Sequence, residues 1–508
     1  MRLRGMVAGL VATSMLALAA PAWADKSNDT LRILFRDAVP SIDPYFNSQR
    51  TGLILGHQAW DMLVHRDPVS FEIKPSLATA WKLVDDRTLE FTIREGVKFH
   101  DGSILSPDDV VYTINMAADP ASKVATPSNY AWIDKAEKVD DKTVRVRMKK
   151  PTPAALEYFA LVVPIHPKAY REKMGFEGFS KAPVGAGPYR IVKLEQGKEV
   201  HFERFADYWK GSPKGVPRIG KLHVRFVPDS STEMTELLGG RADWIWNINP
   251  DQFDAVNRMP TLTAIRKESM RIGYLSIDAA GRTGSGNPLT NVKVRKAIWH
   301  AIDRQSMADK LITGGSRVPM APCFPTQFGC DQDAAVKYDY NPAKAKELLK
   351  EAGFPDGFEI EFVTYVQPTQ WSAAIQNYLG AVGIRAKITQ LQVAAAIQKS
   401  WRGENPLYHG SWGSYSINDV SAIMPVMFGG GNDDYTRDPE MIKLLEEGGG
   451  TSDVAVRKKA YSAAIKRATE NAYWLPLFTY VNTYAHSKQL DFTPYADELP
   501  RFYLYGWK

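Results

Sequence analysis

The chain has 508 residues, enough for about three domain-sized units, and its 44% apolar content is that of a globular protein. Its 63 basic and 57 acidic side chains leave a formal charge of +6, and no run of five basic residues occurs. Charges spread in this way exclude a nucleic-acid footprint.

The first segment is distinctive. Arg2 and Arg4 lead into an apolar run over residues 6–20, and Ala22-Trp23-Ala24 precedes Asp25. A basic start, an apolar stretch and a small-x-small site predict a secretory signal peptide over 1–24, cleaved after Ala24. The run is shorter than the ~20 apolar residues that a spanning helix needs. Asp25, not Cys, follows the cut, so no lipid anchor is signalled. Cleavage leaves +4 (six less the two arginines) on a chain expected to be soluble in the periplasm.

In chain order, residues 31–35 predict a strand, Ser41-Ile42-Asp43-Pro44 a turn, and residues 52–63 a helix. A β-rich segment follows, with an alternating strand over 88–94. Ser106 then caps a helix with Pro107 at its first position and Asp108 and Asp109 in its first turn. Residues 143–148 alternate as a half-buried strand. Gly185-Ala186-Gly187-Pro188 invites a phosphate-loop reading, but it lacks a third glycine and Pro188 has no N–H. In the segment 215–222, Leu222 stands where a P-loop needs Ser or Thr. Both read as turns.

From about residue 270 the texture is α/β. A strand at 274–277 runs into a Gly-rich loop, and a helix starts at Asn291. Asn341-Pro342 opens a helix that Gly353 ends. Strand 358–364, helix 371–379 and strand 384–389 make a β-α-β unit with parallel strands. Cys323 and Cys330 are the two cysteines; in an oxidising compartment they predict a disulfide worth about 2.5 kcal/mol.

Motifs for catalysis are missing: there is no Gly-x-Ser-x-Gly elbow, no His-Glu-x-x-His and no calcium loop. The nine histidines are scattered, with His57 and His65 the nearest pair, so no metal site and no cofactor are assigned.

Four stretches carry a family likeness: Arg94-Glu95-Gly96-Val97-Lys98-Phe99-His100-Asp101-Gly102 with Ser106-Pro107-Asp108-Asp109-Val110; Pro183-Val184-Gly185-Ala186-Gly187-Pro188-Tyr189; Asn291-Val292-Lys293-Val294-Arg295-Lys296-Ala297; and Tyr340-Asn341-Pro342-Ala343-Lys344-Ala345. In these the chain resembles the periplasmic solute-binding proteins of peptide- and nickel-class ABC importers, the family of oligopeptide- and dipeptide-binding proteins. The resemblance implies an α/β, two-lobed periplasmic-binding-protein fold with an additional subdomain inserted in the first lobe. Lobe I would take residues 25–270, with the insertion at about 70–185. Lobe II would take 271–481, and residues 482–508 would return to lobe I. It further implies a monomeric receptor that holds a peptide or peptide-like small polar molecule in the cleft and delivers it to permease and ATPase subunits in the inner membrane.

Peptide-binding relatives carry a Gly-Trp followed by aspartates, one of which holds the peptide's amino terminus. Here Asp419 is the counterpart, in Ser411-Trp412-Gly413-Ser414-Tyr415-Ser416-Ile417-Asn418-Asp419, but Val420-Ser421-Ala422 replaces the remaining acids. Thr369-Gln370 stands where dipeptide-binding relatives place arginines, which argues against an ordinary dipeptide. Asp419, Trp412, Tyr415, Asn418, Tyr274 and Trp371 are the expected ligand-binding residues. Two alternatives stay open: a secreted α/β hydrolase, marked by a nucleophile, base and oxyanion pocket in one cleft, and a nickel or metal-chelate receptor, marked by a His-containing cleft.

Overall fold

The protein is described from a computed structural model covering residues 26–508; the signal-peptide reading falls outside those residues. Ten strands form one continuous sheet. From one edge they run Ile384–Gln390, Phe358–Thr364, Leu407–Trp412, Leu262–Ile277, Trp474–Ser487, Trp244–Trp246, Thr30–Phe35, Lys221–Phe226, Glu199–Arg204 and Tyr189–Glu195. The central pair, Leu262–Ile277 and Trp474–Ser487, is antiparallel along its length. At about 3.3 Å per residue the longer strand reaches roughly 50 Å, enough to serve both lobes. Its register shifts between Glu268 and Ile272, and such a bulge bends a strand pair. Only 274–277 reads as strand in the sequence, because Arg266, Lys267, Glu268 and Arg271 break its apolar pattern. Pairing with Trp474–Ser487 overrides that local signal.

The cores separate accordingly. One cluster joins Leu31, Ile33, Leu222 and Val224 to C-terminal residues such as Phe502 and Tyr505. Two others gather Leu275, Ile298, Phe362 and Ile375, and Met270, Met424, Tyr461 and Trp474. The inserted subdomain is a four-stranded antiparallel sheet in the order Ala78–Asp85, Thr88–Ile93, Thr143–Met148, Ile133–Lys138. Its helix Pro107–Ala118 begins at Ser106, whose N–H and hydroxyl both reach Asp109 Oδ2, at 2.8 and 2.9 Å. The parallel pairing of Phe358–Thr364 with Ile384–Gln390 completes the β-α-β unit across helix Gln370–Ala381.

The helix expected over 52–63 is Arg50–Ala59. Trp60 turns extended and buries its ring, donating its indole N–H to Val184 O at 3.0 Å. That packing explains the glycines of the 185–187 turn. A Cβ on Gly185 would lie 2.1 Å from Ala59 O, and one on Gly187 would lie 2.5 Å from Ala59 C. Close backbone approach, not phosphate binding, requires glycine there. Cys323 and Cys330 are joined by a disulfide, with their Cα atoms 5.8 Å apart.

Candidate functional site

A cavity of about 170 Å³ lies between two parts of the chain that are distant in sequence. Asn47, Arg50, Leu53 and Tyr130, on and beside the start of helix Arg50–Ala59, line one side, and Arg271 and Trp412–Tyr415 close the other. The strand Leu407–Trp412 delivers this last segment, which then turns unusually: Ser414, Tyr415 and Ser416 have φ of 50°, 50° and 65°. Non-glycine residues in that region cost of order 1–3 kcal/mol each and persist only where surroundings enforce them.

The enforcement comes from segments distant in sequence. Ser416 Oγ donates to Asp497 O at 2.6 Å and accepts from Arg50 Nη1 at 2.7 Å. Arg66, fully buried, donates to Ser416 O, to Glu157 Oε2 at 2.6 Å and to Asp497 Oδ2 at 2.8 Å. Asn418 N donates to the same Glu157 oxygen at 3.1 Å.

Two guanidiniums stand at the cavity wall and share one carboxylate. Arg50 Nη2 is 3.2 Å, and Arg271 Nη2 3.1 Å, from Glu498 Oε2. Burial acts to raise the Glu498 carboxyl, but Arg271 and Arg50 outweigh it and hold it at about 2. Glu498 is therefore ionised at neutral pH, and the trio carries a surplus positive charge. Trp412 and Tyr415 meet edge to face with centroids 5.2 Å apart, and Trp412 Nε1 is tied to Ala422 O at 2.8 Å. The cavity thus offers guanidinium donors beside aromatic walls. No His, Cys, Asp or Glu is among its described lining residues, so it has no donor set for a metal.

Of the expected ligand residues, Trp412 and Tyr415 line this cavity. The others do not. Asp419 gives both carboxylate oxygens to Arg457 Nη2, each at 2.8 Å, and its Oδ1 also accepts from Ser421 N at 2.9 Å. It caps the short helix Val420–Ala422 and balances the charge of a buried arginine, and it does not line this cavity. Asn418 engages Glu157 through its backbone and is not a cavity residue. Tyr274 stacks on Trp474 at 4.3 Å in one lobe II core, and Trp371 packs edge-on against Phe478 and Tyr480 in the other. Arg50, Arg271 and Glu498 escape sequence reading because they converge from three distant segments, whereas Ser416 lies in the same stretch as Trp412 and Asp419. The only local hint is the charged Arg271 inside a strand.

A Ser–His pair does exist, Ser372 Oγ to His409 Nδ1 at 2.8 Å, but both residues are sealed inside lobe II. His409 Nε2 has no hydrogen-bond partner, so no acid orients the ring.

Residues 72–435 match the family described as bacterial extracellular solute-binding proteins, family 5 (middle region). The chain belongs to this family. It is a substrate-binding receptor of an ABC importer, not an enzyme. Among curated relatives, the glutathione-binding protein GsiB of Pectobacterium atrosepticum is 28% identical over 519 residues, covering 96% of this chain and 95% of the relative. Among solved structures, HbpA2 of Haemophilus parasuis superposes with a TM-score of 0.81 at 25% identity, covering 94% of this chain and all of that one. The protein AgaA of A. tumefacien R10, solved with agropinic acid, gives 0.77 at 25% identity, covering 94% of this family member and 99% of AgaA. No helix among the described residues of this receptor is long and apolar enough to cross a membrane.

Proposed function

We propose that the cleft receives a small peptide-like molecule bearing a carboxylate, of the glutathione or opine-acid kind. Arg50 and Arg271 take the carboxylate, and Trp412 and Tyr415 pack against the apolar part. The observation that carries this reading is the surplus charge: two guanidiniums at the cavity share the single carboxylate of Glu498. An anionic group that enters supplies the missing counter-charge through charge-assisted hydrogen bonds, the strong kind in a site shielded from water. The names of the relatives agree in chemistry, since glutathione and agropinic acid both carry carboxylates. The exported, mature protein, cut after Ala24, acts as a periplasmic monomer and hands its ligand to the permease and ATPase of the inner membrane. Residues 25–270 with 482–508 form lobe I and residues 271–481 form lobe II, hinged at the crossing strands.

Thermal-shift and calorimetric titration of the mature protein tests this. Reduced glutathione, its dimethyl ester and a lysine-rich dipeptide amide serve as probes. Ligand at a hundredfold excess over Kd stabilises the native state by about 2.7 kcal/mol. The reading holds if the free acid binds and the ester does not. Equal binding of acid and ester, or a preference for the cationic probe, overturns it.

A further inference from the structure

Two histidines that are far apart in sequence meet in lobe I. His201 and His223 are directly opposed on the antiparallel strands Glu199–Arg204 and Lys221–Phe226, and their ring centroids are 4.1 Å apart. Glu199 lies beside them, with Oε1 3.2 Å from His201 Nε2 and Oε2 2.8 Å from His223 Nε2. One donor atom from each residue falls within 4.8 Å of the others. Strand alternation fixes the face. Val200, Phe202, Leu222 and Val224 enter the core shared with helix Arg50–Ala59, so the His–His–Glu group points to the opposite side of the sheet from the cleft.

We propose that Glu199, His201 and His223 form a binding site for a divalent first-row transition ion such as Zn²⁺ or Ni²⁺, separate from the ligand cleft. Two imidazoles and a carboxylate are a set that such ions favour, and three protein ligands leave positions open for water. The donors are already near one another. The two nitrogens reach different oxygens of Glu199, at 3.2 and 2.8 Å, and donors about 2.0–2.1 Å from a zinc ion stand roughly 3–3.4 Å apart, so a small side-chain adjustment brings all three onto one ion. His201 Nε2 is buried and has Glu199 Oε1 3.2 Å away, so these two donors already face each other. The three side chains are 20–32% exposed, which gives an ion access from solvent.

The surrounding charges are satisfied elsewhere. Lys193 Nζ contacts Glu199 Oε1 at 2.7 Å but also Glu195 Oε1 at 2.6 Å, so it keeps a partner when an ion takes Glu199. Arg32, opposite His223 on the next strand, is paired with Asp243 at 2.8 Å, and Arg225 is paired with Glu236.

The test is calorimetric titration of the tag-free, chelator-treated mature protein with ZnCl₂ and with NiCl₂, beside the variants His201→Gln and His223→Ala and the control His300→Gln, a histidine that contacts Asp339 O far from the site. One ion should bind per chain in the micromolar range or tighter. Each variant at the site should weaken it by more than about tenfold, the scale on which metal sites respond even to changes outside the ligand set, while His300→Gln leaves it unchanged. Melting curves in chelator establish that each variant is folded, and Glu199→Gln replaces any that is not. Absence of one-to-one binding in the wild type, or binding indifferent to both histidines, overturns the proposal.

Discussion

Asp419→Asn separates a structural role from a ligand-binding one. The wild-type carboxylate meets Arg457 Nη2 with both oxygens at 2.8 Å, and both residues are only 5% exposed. Asn keeps the oxygen that caps Ser421 N and keeps the volume, so the change isolates the charge. It leaves the Arg457 guanidinium buried over the Phe328 ring (4.4 Å to the centroid) with only neutral acceptors, the retained amide oxygen and Gly448 O, which takes Nε at 3.1 Å. Removing one partner of a buried ion pair costs about 3–5 kcal/mol, most of it the penalty of an uncompensated charge. For a cooperative unit of roughly 200 residues, a loss of that size lowers the melting temperature on the order of 10 °C. Differential scanning calorimetry and ligand titration of the same preparation give the two readouts, with affinity expected to stay within about threefold of wild type. A loss of affinity beyond tenfold with an unchanged melting temperature refutes the reasoning and returns Asp419 to the ligand.

Arg271→Met should weaken an acid-bearing ligand by about 2–5 kcal/mol while Arg50 still partners Glu498, as calorimetric titration against the wild type reports. Glu233 carries a pH dependence. Burial raises its carboxyl to about 7 despite the Arg36 contact at 2.8 Å. A carboxyl raised above its unfolded value favours the fold fully below about pH 4, and that contribution is lost as pH rises through 7. Glu233→Gln should therefore flatten the stability profile across this window by up to about 3 kcal/mol, read from denaturant melts at several pH values. Gly187→Ala should abolish soluble expression or cost more than about 4 kcal/mol, because its Cβ would sit 2.5 Å from the Ala59 carbonyl carbon. A soluble variant with a wild-type melting curve would contradict that.

What the sequence discloses follows from the range of the forces involved. Caps and turns are local, and so Ser106, Asn291 and Asn341 mark helix starts where the structure has them. The β-α-β unit over 358–390 is legible because its periodicity and connection are contained in one stretch of chain. The 16-residue strand Leu262–Ile277 is not, because its polar half is held by a partner two hundred residues away. Tyr274 and Trp371 show the same limit: an aromatic side chain suits a core and a binding wall equally, and only neighbours such as Trp474 and Phe478 decide. The antiparallel register that brings His201 against His223 leaves no spacing motif at all.

The arginine pair suggests why a receptor without chemistry is built this way. A ligand promotes closure only to the extent that it binds the closed form better than the open one. Contacts confined to one lobe would persist in both forms and shift nothing. Arg50 opens a lobe I helix, Arg271 lies where the crossing strand enters lobe II, and Glu498 on the returning C-terminal segment touches both. On the proposed reading, a carboxylate seated between the two guanidiniums is bound differentially by construction, since separation of the lobes parts Arg50 from Arg271. The strained turn at Ser414–Ser416 belongs to the same argument. It presents Tyr415 to the cavity from lobe II but is held by Asp497, Arg66 and Arg50 of lobe I. On the same reading, opening would remove both a ligand contact and the support for a conformation that the chain does not favour alone. Ligand binding and turn geometry would then stabilise the same closed arrangement, with no acid required at position 419.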